Sequence, residues 1–256
     1  MTKVLEIKKV CKSFGGLQAI LELDLAVDQG ELLGLIGPNG SGKTTFFNLI
    51  TGVYKPTRGY INYRNKDITG LRPDQICAKG IGRMFQHTIL FSNLTVFQNI
   101  LVATHLESKL NFWHALFKTP IYKERERKAE CRALEIMNFV GLESVKDELA
   151  SNLPHGHQRS LGVAMALAAK PQLLLLDEPT TGMNREETEY MMDLVKKISN
   201  EGVTVLLVEH NMKVVMGICR RIVVLNFGQK IAEGSPEEVS KNDAVIQAYL
   251  GADYAA

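Results

Sequence analysis

The chain has 256 residues and a net charge of +2, with acidic and basic side chains interspersed. That length can bury a sizeable core, and that balance leaves no electrostatic footprint for DNA or RNA, so no nucleic-acid partner is expected. Its four cysteines, Cys11, Cys77, Cys131 and Cys219, form no C-x-x-C pair and give neither a zinc spacing nor a disulfide framework, a pattern that fits a reducing cytosol.

Met1 to Lys9 lacks the apolar segment of a signal peptide, and no apolar run reaches the roughly 18 residues of a membrane span. A soluble protein is expected, with any membrane role supplied through a partner. Val4–Val10 alternates apolar and charged residues, as a half-exposed strand does. Lys12 to Gly16 reads as a turn presenting Phe14, and Leu17–Val27 as a second alternating strand. Asp28-Gln29-Gly30 then turns the chain into Glu31–Ile36, a short buried strand.

That strand enters Gly37-Pro38-Asn39-Gly40-Ser41-Gly42-Lys43-Thr44-Thr45, which fits the phosphate-loop pattern G-x-x-x-x-G-K-[ST]. Glycines let backbone N–H groups curl around anionic oxygens, and the helix that follows adds its positive end. Lys43 can reach the β- and γ-phosphates of a nucleoside triphosphate, and the Thr44 hydroxyl can hold Mg²⁺. The helix is expected over Thr44–Ile50, anchored by Phe46, Phe47, Leu49 and Ile50, with a cap at Thr51-Gly52. Arg58–Tyr63 looks like a further strand, so an antiparallel sheet is expected beside the phosphate-loop core.

Ile81–Gln86 reads as a strand running into a polar loop. From Thr95 to about Lys170 the pattern is helical, with Ala133, Ile136, Met137 and Val140 at helix spacing and a small-residue helix over Leu161–Ala169. The basic cluster from Tyr122 to Lys128 is interrupted by glutamates, as on a solvated helix face. Residues 88–165 are read as a mostly helical lobe inserted into a core made of 1–87 and 166–256, the whole forming one α/β domain. Leu173–Leu176 and Val203–Val208 are apolar enough for a buried parallel sheet. Ser235, Pro236 and Glu238 mark a helix start, and Asp243–Leu250 a last helix ended by Gly251.

Two carboxylates, Asp177 and Glu178, stand where the Leu173–Leu176 strand would open onto a nucleotide crevice. Asp177 is placed to bind Mg²⁺, directly or through water, and Glu178 to polarise an attacking water. Val208-Glu209-His210 ends the next strand in the same way, and His210 can hydrogen-bond a γ-phosphate and sense its loss.

In this order the motifs resemble the nucleotide-binding subunits of ATP-binding cassette (ABC) transporters along nearly the whole chain. Within that family the resemblance is strongest to ATP-binding proteins of branched-chain amino acid importers, of the LivG type. It is carried by Phe14-Gly15-Gly16-Leu17-Gln18-Ala19, Phe85-Gln86-His87, the stretch from Glu209 to Met216, and the tail from Val245 to Gly251. It implies a RecA-like core with an antiparallel β-subdomain and an inserted helical subdomain, ATP and Mg²⁺ as ligands, and hydrolysis coupled to transport. Phe14 would stack on adenine, and Gln86 would contact Mg²⁺ or the lytic water. A second, head-to-tail cassette would supply the other wall of each site, and transmembrane permeases would dock near Gln86, at the cytoplasmic face of the membrane. An external binding protein would take part indirectly.

The family's signature segment is usually Leu-Ser-Gly-Gly-Gln; here the aligned residues are Leu153-Pro154-His155-Gly156-His157, then Gln158. Pro154 offers neither hydroxyl nor backbone N–H, although proline suits a helix start. The segment is expected to close on the partner's ATP through helix-end N–H groups and a histidine. Asn184 stands where many relatives have aspartate. Two other readings stay open: a urea or short-amide importer, and a nucleotide-gated binding module with little hydrolysis.

Overall fold

The structure, a computed structural model, describes residues 2–86, 89–104 and 120–253, with side chains described through Tyr249. His87, Thr88 and residues 105–119 of the expected helical lobe lie outside the described residues.

Three strands whose five residues are all buried form the centre: β3 (Leu32–Ile36), β7 (Leu173–Asp177) and β8 (Thr204–Val208). Such runs need cover on both faces, and their side chains alternate between two cores. Leu33, Leu35, Leu173, Leu175, Leu206 and Val208 face one core; Leu32, Ile36, Leu174, Leu176, Val205 and Leu207 face the other. With β6 (Ile81–Met84), β9 (Arg221–Asn226) and β10 (Gln229–Gly234) they make a six-stranded sheet in the order β10-β9-β3-β8-β7-β6, parallel except for β10.

The first core is closed by a four-stranded antiparallel sheet, β2-β1-β4-β5, built from β1 (Lys3–Phe14), β2 (Leu17–Asp28), β4 (Arg58–Tyr63) and β5 (Lys66–Asp67). Helix α1 (Lys43–Ile50) lies in that core, with Phe46, Phe47, Leu49 and Ile50 all buried as expected. Strand β1 runs four residues beyond the expected Val10. Lys9 and Glu22 adopt left-handed backbone, and the β1–β2 register shifts between Ile7 and Val10, so the alternation that marks a strand breaks there.

Helices α3 (Val96–Thr104), α4 (Pro120–Phe139) and α5 (His155–Ala168) cover the other face, with α2 (Pro73–Cys77) beside β6. Ala133, Ile136, Met137 and Val140 are buried, as their spacing predicts. The charged start of α4 is largely exposed and carries a Lys128–Glu124 pair of 2.7 Å. Helix α5 begins six residues before Leu161, because Pro154 ends the extended approach and His155 already has helical backbone. It runs unbroken across residues 165 and 166 and packs on β6 as well as on α3 and α4.

Helices α6 (Arg185–Asn200), α7 (Met212–Ile218), α8 (Pro236–Ser240) and α9 (Asp243–Asp253) complete the chain. Ser235 and Glu238 form the expected capping box. Helix α9 passes through Gly251 instead of ending there; a glycine inside a helix costs only about 0.5–1 kcal/mol relative to alanine. Among the described residues no helix is long and apolar enough to cross a membrane.

Candidate nucleotide site

The phosphate loop leaves β3 and closes on the start of α1. Gly42 is left-handed, with φ of 105°, and an added Cβ would sit 2.8 Å from the backbone oxygen of Ala19. Glycine is therefore required by conformation and by space. Gly42→Ala is expected to cost at least about 2 kcal/mol of stability, read as a lower unfolding midpoint. An unchanged midpoint would show that the loop and β2 separate freely.

Lys43 is buried and folds back along its own loop. Its Nζ donates to the Gly37 carbonyl at 2.7 Å, the Pro38 carbonyl at 2.9 Å and Ser41 Oγ at 3.4 Å. Burial holds the ammonium below the ordinary lysine range, and the nearby Glu178 and Asp177 carboxylates offset part of that. The three oxygens hold the cation at the loop.

Above the loop, β7 and β8 deliver the expected acidic and histidine side chains to one point. Glu178 Oε2 accepts from Gln86 Nε2 at 2.7 Å and from Thr181 Oγ1 at 3.3 Å, while Oε1 pairs with His210 Nε2. Glu178 is buried and has φ of +51°, a left-handed backbone that is strained for a side chain of this size. Gln86, expected to reach a metal or a lytic water, thus reaches Glu178 itself.

Asp177 lies beside it, with Oδ2 held by Arg83 Nη2 at 2.8 Å in a buried ion pair. Burial raises the Asp177 carboxyl above the ordinary aspartate range; Arg83 pulls the other way, as does Lys43, while Glu178 adds to the rise. The sequence reading gives Arg83 no role. Its signal was a cation inside the sheet strand Ile81–Met84, since a buried charge requires a partner.

A pocket of about 590 Å³ runs from Phe14 past Asn39–Thr45 to Gln86, Glu178 and His210. Phe14 meets Tyr54 edge-on at 5.0 Å, Lys12 Nζ lies 4.8 Å over its ring, and the ring is partly exposed where it lines the pocket. Phe227 also lines the pocket. It is 85% exposed and left-handed at a tight β9–β10 turn, where asparagine or glycine is the usual choice. Its position in the pocket depends on hairpin pairing that its own stretch of sequence does not announce.

Leu153, Pro154, His155, Gly156, His157 and Gln158 do not line this pocket. They start α5, with Pro154 at the N-cap and its carbonyl accepting from Gln158 N at 3.0 Å. His155 lies against Gly182, and a Cβ on Gly156 would meet Glu187 Oε1 at 2.5 Å. Glu187 forms a reciprocal capping box with Asn184, with bonds of 2.9 and 3.0 Å. Asparagine caps a helix as well as aspartate does, so Asn184 loses nothing there. The signature segment is thereby docked on the loop that follows Glu178. Arg159, one turn on, donates to the Gln86 carbonyl. Buried Glu209 accepts from Thr180 N at 2.8 Å and Thr180 Oγ1 at 2.7 Å, which ties the two strand ends together.

Comparison with known proteins places this geometry in context. Residues 20–181 match the family model described as ABC transporter, and residues 229–255 match that of the branched-chain amino acid ATP-binding cassette transporter. The chain is 43% identical to the high-affinity branched-chain amino acid transport ATP-binding protein LivG of Salmonella typhimurium, over 97% of this chain and 98% of the relative. It is 42% identical, with the same coverage, to the corresponding BraF protein of Pseudomonas aeruginosa. Among solved structures it is similar to the ADP conformation of an ATP-binding cassette of an ABC transporter, with a TM-score of 0.85 and 29% identity over 98% of this chain and all of that one. A dimeric cassette in a post-hydrolysis state, bound to ADP and phosphate, gives a TM-score of 0.77 at 27% identity, over 91% of this chain and 98% of that one.

Proposed function

The chain belongs to the ABC transporter family of ATP-binding proteins, and on that premise we propose that it powers an importer of branched-chain or other hydrophobic amino acids. The observation that carries the hydrolytic reading is Glu178, gripped by Gln86 and His210 above the phosphate loop. The amino-acid reading is supported by the near-full-length likeness to LivG and BraF and by the matched tail.

In this reading Lys43 and the loop N–H groups hold the β- and γ-phosphates, and Phe14 stacks on adenine. Glu178 orients the attacking water in line with the γ-phosphate, and His210 reports its loss. The residues fit Mg²⁺: the Thr44 hydroxyl and the Asp177 oxygen not taken by Arg83 are hard donors that complement phosphate oxygens. Among the described residues no three His, Cys, Asp or Glu form a metal cage, and an ion bound largely through nucleotide phosphates requires none. Bound there, Mg²⁺ would neutralise charge spreading over the transferred phosphoryl group.

Two partners follow. A second cassette, sister or self, would bring its signature segment to this chain's phosphate loop, head to tail. Permeases would dock in an apolar groove of about 350 Å³ beside β6, α3 and α5, whose walls include Phe85, Ile89, Phe91 and Val102, all exposed. An exposed apolar groove of that kind marks a protein interface, and it would hold the subunit at the cytoplasmic face of the membrane.

The test is ATPase activity of the complex reconstituted with its permeases and external binding protein. Stimulation by leucine, isoleucine or valine is expected; stimulation by urea or a short amide instead would move the substrate assignment. Hydrolysis too slow to respond to any of them would favour a nucleotide-gated binding module. Within that complex Pro154→Ser is expected to raise turnover by about tenfold or more if one charge-assisted hydrogen bond of ~1.5–3 kcal/mol is restored to the closed dimer. A large loss, with folding and assembly intact, would show that Pro154 is not merely a weakened serine.

A further inference from the structure

Arg83 joins two places that the proposed function keeps apart. Its guanidinium sits in the core with Nη1 donating to Asn48 Oδ1 at 2.6 Å and to Thr51 Oγ1 at 3.3 Å, both near the end of α1. Nη2 holds Asp177 Oδ2. The cation also lies 5.4 Å from the Phe47 ring and 4.5 Å from the Phe85 ring. Phe47 is buried, whereas Phe85 is half exposed and forms part of the apolar groove wall.

A contiguous line therefore runs from the groove through Phe85 and Arg83 to the carboxylate expected to serve Mg²⁺. Cation–π attraction and a charge-assisted hydrogen bond both depend on where the guanidinium plane lies, so a shift of Phe85 is felt at Asp177. Arginine suits this task where lysine does not, because its planar fork can stack on one group while bonding another. Arg83 Nε is buried and has no partner, so the guanidinium is not fully satisfied in this arrangement.

We propose that Arg83 is a positioning residue that sets Asp177 for the metal–nucleotide complex according to whether the groove beside Phe85 is filled. The inference rests on the reading of the groove as the permease site and of Asp177 as a metal carboxylate. With the groove filled, Phe85 is pressed toward the cation and the Arg83–Asp177 pair is fixed. With it empty, the pair is free to turn about the α1 anchors.

The test measures Mn²⁺ binding by electron paramagnetic resonance, with ADP present, on the isolated subunit and on the subunit assembled with its permeases. Wild type is expected to bind Mn²⁺ several-fold more tightly once assembled. Phe85→Leu keeps an apolar side chain in the groove wall but removes the ring: in subunits that still co-purify with permeases, the gain on assembly should vanish. Arg83→Met should weaken Mn²⁺ binding by the isolated subunit about tenfold or more, because Asp177 loses the partner that orients it. Arg83→Lys, which keeps the buried charge and guards against misfolding, should retain isolated-subunit binding within a few-fold yet lose the assembly gain.

A wild type with no gain on assembly, or a Phe85→Leu variant that keeps the full gain, overturns the proposal. So does unchanged Mn²⁺ affinity in a folded Arg83→Met subunit. Failure of the wild-type subunit to co-purify with permeases would count against the transport reading itself, and the isolated-subunit comparison would still decide whether Arg83 positions Asp177.

Discussion

Glu178→Gln is expected to bind ATP about as tightly as wild type while turning it over at least ~10²-fold more slowly. The amide keeps the shape of the carboxylate and one oxygen, so His210 or Gln86 retains a partner at the site. It cannot take a proton from water. Stalled before the bond breaks, the variant should gather as a closed dimer in ATP, seen as a shift in hydrodynamic size that reverses when nucleotide is removed. Paired equilibrium binding and steady-state turnover separate the two effects. Turnover near that of wild type would show that Glu178 is not the base.

Lys43→Ala should fail one step earlier. Three loop oxygens hold the ammonium in the crevice, and a bound triphosphate would offer stronger acceptors at the same place. Losing charge-assisted hydrogen bonds worth ~1.5–3 kcal/mol weakens ATP binding by roughly 10- to 100-fold. Calorimetric titration of the isolated subunit is the direct measurement. Affinity within about twofold of wild type would mean that loop N–H groups and the α1 dipole hold the phosphates unaided. Removing the cation also frees the Gly37 and Pro38 carbonyls, so part of the loss reflects a looser loop.

Strands β3, β7 and β8 were legible because they are short and largely apolar. The phosphate loop was legible because it requires glycines at fixed offsets. Asp177, Glu178 and His210 were found by the same logic, as polar residues at the ends of buried strands. What escaped depends on contacts between distant segments. Arg83 acquires its meaning only when β6 lies beside β7, and Glu209 only when β8 brings it under Thr180. The start of α5 at Pro154 was readable because proline suits a helix cap; what escaped is that the helix runs unbroken from His155 into the Leu161 stretch, with Gly156 fitted against Glu187. Strands β9 and β10 were not anticipated. Their tight turn places a bulky aromatic, Phe227, in a left-handed setting, so the usual hairpin signal is missing.

The His155–Gly182 contact has a consequence for timing. In the proposed head-to-tail pair, the nucleotide touched by a chain's signature segment would not be the one held by its own phosphate loop. Yet that segment leans on the loop that begins beside the chain's own Glu178. On the proposed pairing each chain would act as a crossed relay, carrying news of one nucleotide to the Glu178 proposed to act on the other. With a sister subunit of ordinary signature sequence, the two relays would carry signals of unequal strength, and the two hydrolysis events would fire in a fixed order instead of at random.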